Sequence, residues 1–152
     1  MAKVSAGLLL YRRRDARIEV LLVHPGGPFW ARRDLGAWSI PKGEVSGGED
    51  LLGRAQVELL EETGLRVAGP FTPLAPVQQS AKVVHAWAVA GDYDVSKITS
   101  NTFEIEFPPR SGRMQRFPEV DRAGWFDLTT ARKKILSAQR HFIDELESLV
   151  SP

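Results

Sequence analysis

Three glutamates, Glu58, Glu61 and Glu62, stand at i, i+3 and i+4 of any helix that contains them. At that spacing their carboxylates share one helix face. Like charges so placed repel one another, and the following i+4 positions bring no cation before Arg66, which lies beyond Gly64. Carboxylates gathered without a cation of their own are the hard oxygen donors that Mg²⁺ or Mn²⁺ takes. The glycine-rich stretch Gly43-Glu44-Val45-Ser46-Gly47-Gly48 precedes them and adds backbone carbonyls and N–H groups, and Lys42 adds a positive charge suited to phosphate. Metal-holding carboxylates beside a lysine point to phosphate chemistry, in which a phosphoryl oxygen is polarised, water is activated and a leaving phosphate is neutralised. The three glutamates taken alone also describe a solvated acidic face, so the residues around them decide.

Composition narrows the choice. The chain has 152 residues, one domain's worth, and the expected domain is 1–152. There is no cysteine, which removes disulfide scaffolds, Cys-ligated zinc, iron–sulfur clusters and thiol nucleophiles. Twenty Lys+Arg against nineteen Asp+Glu leave a net charge of +1, too little for a protein whose main work is coating nucleic acid or acidic membrane. No apolar run approaches the roughly 20 residues that span a bilayer. The expected placement is the cytoplasm.

The elements that must position the glutamates can be read from patterning. Strands are expected over 3–12 and 18–23, joined by the polar hairpin loop 12–17, whose arginines read as a solvated turn. A long Gly/Pro-rich segment, 24–43, carries Phe29, Trp30 and Trp38; loops of this length are usually functional. Trp38 is expected to cap the core, whereas Phe29 and Trp30 serve equally well as core caps or as stacking faces for a planar ligand. A helix is expected from about Glu49 to Thr63, started by a Ser46/Glu49 capping box and stopped at Gly64. Further strands are expected over 66–68, 74–79, 82–90, 103–107 and 124–126, and a final helix over 129–150. Strands and helices intermix, so the class is α/β or α+β.

Gly43, Glu49, Glu58, Leu59, Glu61, Glu62, Gly64 and Leu65 together resemble the Nudix box, G-x5-E-x7-R-E-U-x-E-E-x-G-U with U aliphatic. Every specified position but one matches over twenty-three residues, and Trp38-Ser39-Ile40-Pro41-Lys42-Gly43 is similar to the W-x-x-P-K-G lead-in of many members. The resemblance implies an α/β fold of the α/β/α sandwich type with a mixed central sheet. It also implies metal-dependent hydrolysis of a nucleoside diphosphate linked to another moiety. By the same resemblance Glu58, Glu61 and Glu62 would ligate Mg²⁺ or Mn²⁺, with Gly43 giving a backbone carbonyl. Glu58 or its neighbour would be the base that activates the attacking water, Glu49 would orient the helix, and Lys42 would face the phosphates.

The departing position is Val57, where the box has arginine. Arg54 stands at i−4 from Glu58 and can reach the same face, so it is expected to take over the pairing role; a solvated helix arginine is the alternative. Beyond the box, Gly91-Asp92-Tyr93-Asp94-Val95, and Glu119 six residues before Trp125, look like segments of the asymmetrical diadenosine tetraphosphate hydrolases of that family. Pro118-Glu119-Val120-Asp121 is similar to a stretch in bacterial RNA 5′-pyrophosphohydrolases. Glu119 is therefore the expected fourth carboxylate at the metal, with Glu104 and Glu106 read as a solvated strand face. Lys42, Lys82 and His85 are phosphate candidates; Phe29, Trp30 and Tyr93 are stacking candidates; Arg110, Arg113 and Arg116 decorate a loop leading to Glu119. The expected substrate is a dinucleoside polyphosphate. A nucleoside triphosphate, ADP-ribose or an RNA 5′ end stays open, as does a nucleotide-binding regulator without turnover. The expected partner is thus a small nucleotide; membrane is excluded, and nucleic acid enters only as an RNA 5′ end.

Overall fold

A computed structural model describes residues 3–151, so the extreme ends of the expected domain lie outside the described residues. The strands are β1 (Lys3–Arg14), β2 (Arg17–Pro25), β3 (Lys42–Glu44), β4 (Thr72–Gln79), β5 (Lys82–Ala90), β6 (Thr102–Glu106), β7 (Met114–Pro118) and β8 (Val120–Asp127). The helices are α1 (Leu51–Thr63), α2 (Leu128–Lys134) and α3 (Arg140–Val150). The main sheet runs β4-β5-β1-β2-β8, with β3 paired to the free half of the β1 edge. It is mixed: β1 and β5 are parallel, and every other pair is antiparallel.

The apolar run Gly7–Tyr11 lies in the middle strand, and a middle strand covered on both faces must be apolar at successive residues. Leu8 and Leu10 pack with Ala55 and Leu59 of α1. Leu9 points the other way, against Phe142, Ile143 and Leu146 of α3. Helices on both faces of one mixed sheet make this an α/β/α sandwich. Among the described residues no helix is long and apolar enough to cross a membrane.

Four expectations change. Helix α1 begins at Leu51, because Asp50 accepts the Gly53 N–H and is the N-cap; Glu49 instead closes a turn by accepting from the Ser46 N–H. Residues 66–68 form no strand. The final helix is two helices, because Ile135 leaves helical geometry to bridge Trp38, whose N–H and C=O bond Lys134 and Leu136. The expected 103–107 strand acquires a partner, β7, in a separate two-stranded hairpin.

Candidate active site

The glycine-rich segment returns to the sheet as β3, which sets Gly43 opposite Ala6 and brings the segment alongside α1. Gly43 has no side chain for a local reason: a Cβ there would overlap the carboxyl carbon and both carboxyl oxygens of Glu58. The Glu58 carboxylate thus lies on the Gly43 backbone and is buried, 8% exposed. Arg54, one helical turn earlier, donates from Nε (3.0 Å) and from a terminal nitrogen (2.6 Å) to Glu58 Oε1. The same guanidinium reaches Glu61 at 3.4 Å and Glu49 at 3.6 Å. Val57 points elsewhere: it is 41% exposed and lines a groove with Leu60, Arg66 and Val67 on the outer side of the helix.

Glu62 is the second buried carboxylate, and its Oε2 accepts the Lys42 backbone N–H at 2.9 Å. Burial, reinforced by the charge of Glu58, pushes its pKa up to about 8. Burial, reinforced by neighbouring Lys82, lowers Lys42 to about 8, against the opposing pull of Glu62 and Glu58. Glu119 enters from across the site. Its N–H donates to the Asn101 carbonyl, the Asn101 N–H donates to the Glu61 carbonyl, and the Glu119 carbonyl accepts from Gly26. Gly26 must be glycine for that approach, since a Cβ would overlap the Pro118 carbonyl. Partial burial, then the charges of Glu58 and Glu61, raise the Glu119 pKa. A side chain fully exposed to water would not respond to its neighbours in this way.

This donor set, carboxylates with an adjacent backbone carbonyl, is the kind that a hard divalent cation takes. Among the described residues no three acidic or histidine side chains already converge on one point. Arg54 and the Lys42 N–H hold Glu58 and Glu62 by one oxygen each, while Glu61 and Glu119 lie at the open side. Beside them is a cleft of about 240 Å³ whose lining combines the charged side chains of Lys42, Glu62 and Glu119 with the apolar ones of Trp30, Ile40 and Leu136.

The remaining expected residues divide. Lys82 lies beside Lys42. Trp30 lines the cleft, while Trp38 is core, packed edge-on to Phe126. Phe29 is turned away onto Phe107. His85 sits half-buried on β5, opposite Ala6, and does not line the cleft. Tyr93 is not at the glutamates: its ring lies over Gly91, and it lines a separate groove with Arg12 and Trp125. Glu104 and Glu106 are solvent-facing, the first paired to Arg116 and the second capping the hairpin tip at Arg110 and Gly112.

Sequence reasoning missed Gln79, Gln139 and His24. Buried Gln139 accepts the Ile40 N–H and donates to Gln79, a cleft residue. His24, fully buried, contacts Asp121 through Nδ1 (2.9 Å) and the Arg33 carbonyl through Nε2 (2.6 Å), tying the long loop to β8 two residues after Glu119. The Arg33 carbonyl can only accept, so Nε2 is the donor in that contact. Nothing in the local sequence marks these contacts, which span 60 and 97 residues for Gln139–Gln79 and His24–Asp121.

A family model described as NUDIX domain matches residues 1–146. The RNA pyrophosphohydrolase of Caulobacter vibrioides is 35% identical over 127 residues, covering 68% of this chain and 74% of that protein. Among solved structures, a C. elegans Ap4A hydrolase binary complex superposes with TM-score 0.67 at 22% identity, covering 96% of this chain and 97% of that one. The NUDIX domain of Shewanella oneidensis NrtR, complexed with ADP ribose, gives TM-score 0.66 at 17% identity, covering 99% and 90%.

Proposed function

The chain belongs to the Nudix family, and from that premise we propose that it is a Mg²⁺-dependent pyrophosphohydrolase cleaving a phosphoanhydride bond in a nucleoside diphosphate-linked substrate, by first choice a dinucleoside polyphosphate. The observation that carries the reading is the seating of Glu58. Its carboxylate rests on Gly43, is held by Arg54, and lies within reach of the charges of Glu62 and Glu119 around one cleft.

Glu58, Glu61, Glu62 and Glu119, with the Gly43 carbonyl, are the groups to hold Mg²⁺, or Mn²⁺ in its place. When bound, that ion polarises a phosphoryl oxygen and neutralises the leaving phosphate. Glu58 takes the proton of the attacking water, a role open to a carboxylate kept in one rotamer. Arg54 positions Glu58 and so replaces the arginine that the box has at Val57. Lys42, with Lys82 beside it, meets the phosphate chain in the cleft. Trp30 gives the cleft a planar apolar surface.

An RNA 5′ end is the second reading. The 35% identity to an RNA pyrophosphohydrolase favours it, as does exposed Arg110 and Arg113 at the hairpin tip, beside the chain that leads to Glu119. A panel of dinucleoside polyphosphates, nucleoside triphosphates, ADP-ribose and triphosphorylated RNA, assayed with Mg²⁺ and with Mn²⁺ and with products identified, separates the readings. Hydrolysis of a dinucleoside polyphosphate, lowered roughly 10²–10⁴-fold by Glu58→Gln, is the expected result. Nucleotide-dependent thermal stabilisation without turnover of any panel member would make the protein a binding regulator instead.

A further inference from the structure

We propose that Gln79 reads the nucleobase of the substrate and selects guanine over adenine, because its side-chain amide is oriented with Oε1 on Gln139 and Nε2 left to donate. The inference rests on the nucleotide-hydrolase reading and extends it to the base.

The lock begins at a group whose polarity is fixed. The Ile40 backbone N–H can only donate, and it donates to Gln139 Oε1 at 3.0 Å. Gln139 is fully buried. Turning its amide over would set an NH₂ group against that N–H and leave a buried donor without an acceptor, at a cost of about 1–3 kcal/mol. Gln139 Nε2 is therefore the donor to its other neighbours, Ser39 Oγ at 3.0 Å and Gln79 Oε1 at 2.9 Å. Gln79 Oε1 is thus occupied, and Nε2 is the part of its amide left to serve the cleft that Gln79 lines. Among the described residues Ser5 Oγ is the one buried side-chain polar atom without a partner, so the Gln79 nitrogen is not sealed inside the protein.

A glutamine with a free amide reads adenine by accepting from N6 and donating to N7. Gln79 turns its oxygen towards Gln139 and so offers Nε2 first. Guanine presents O6 and N7, both acceptors, along the same edge. An amide that presents its NH₂ finds two acceptors along the guanine edge, but on the adenine edge one acceptor beside an opposing amino group. The lining suits a nucleotide: Trp30, Ile40 and Leu136 supply apolar surface, one of them planar, in the same cleft as Lys42, Glu62 and Glu119.

The test compares kcat/KM of the full chain for diguanosine and diadenosine tetraphosphate with Mg²⁺, and in parallel the equilibrium binding of GDP and ADP. A guanine preference of roughly tenfold or more is expected in both measurements. Gln79→Glu keeps the acceptor for Gln139 Nε2 and exchanges the cleft donor for an acceptor, so the ratio should fall to about one or invert. The added charge weakens both nucleotides alike and cancels in the ratio. Gln139→Leu should also bring the ratio towards one by releasing Gln79. A wild-type ratio near one, or a ratio unmoved by Gln79→Glu, overturns the role of Gln79 and leaves the hydrolase reading standing. Guanine-selective binding with no turnover overturns the hydrolase reading and upholds Gln79. Neither binding nor turnover of any of the four nucleotides overturns both.

Discussion

Gly43→Ala tests the seating of Glu58 most directly. The new methyl would overlap the carboxyl carbon and both oxygens of Glu58. Non-bonded carbons settle about 3.5–4.0 Å apart, so the carboxylate must retreat by roughly 1.5 Å. Its bonds to Arg54, at 2.6 and 3.0 Å, cannot survive that displacement. A misplacement of about 1 Å at a reacting group can cost some 10²-fold in rate, and full loss of a general base roughly 10²–10⁴-fold. Turnover with Mg²⁺ should therefore fall within that span. The fold should hold, because Gly43 lies in a strand at an ordinary backbone angle and the obstacle is the mobile end of a side chain. Gly47→Ala is the control: it alters the same loop, but a methyl there meets nothing within 4 Å. Steady-state kinetics on both variants, with thermal melts alongside, provide the comparison. The double variant Gly43→Ala/Glu58→Gln should be no slower than Glu58→Gln alone, since both changes remove one function. A near-native rate for Gly43→Ala, or full additivity in the double variant, would refute the reasoning.

Three further predictions concern Arg54, Val57 and His24. Arg54→Ala should lower turnover about tenfold or more by freeing the Glu58 rotamer; unchanged turnover and unchanged Mg²⁺ affinity would make Arg54 an ordinary surface residue. Val57→Arg should alter turnover by less than about threefold, because the new side chain starts from the exposed outer side of α1 and would add only a surface pair. A tenfold gain in the same assay would show that the missing box arginine limits the enzyme. His24→Leu should destabilise the protein by about 1–3 kcal/mol, since it leaves the Arg33 carbonyl without its buried donor. Urea melts with an unshifted midpoint would show that the loop needs no such tie.

What could be read from the sequence depended on how far each interaction reaches along the chain. The glutamate face, Gly64 as a helix stop and the β1–β2 hairpin are set within a few residues, where spacing and turn chemistry are visible. Asp15 and Ala16, for example, take the left-handed angles that a tight hairpin needs. The Ser46/Glu49 spacing suggests a start of α1 two residues early, because Glu49 does accept from the Ser46 N–H, whereas the cap itself is Asp50 accepting from the Gly53 N–H. The break at Ile135 was invisible because Trp38, almost a hundred residues earlier, causes it. Tyr93 lies away from the glutamates for a related reason: an aromatic after a strand does not reveal where its loop returns, and here the ring lies over Gly91. Strand β7 escaped notice because three of its five residues are exposed polar or flexible side chains, Met114, Gln115 and Arg116, with no alternation to read.

The proposed replacement of the box arginine by Arg54 rests on helix geometry. Successive residues on a helix are rotated by about 100°, so a side chain at position 57 leaves at a wide angle to Glu58. Position 54 is four residues before Glu58 and seven before Glu61, and both lie on its own stripe. One guanidinium there reaches Glu49, Glu58 and Glu61 together. Its two short bonds both end on Glu58 Oε1, which leaves Oε2 for a proton or a cation. Glu62 is divided in the same manner, with Oε2 on the Lys42 N–H and Oε1 available. Each buried carboxylate thus has one oxygen that fixes its rotamer and one that can act. Two carboxyl groups kept in place beforehand would not have to be ordered when a cation binds, which would lower the cost of binding it. On this account Arg54 sets where Glu58 stands, and its removal should weaken Mg²⁺ affinity and turnover together.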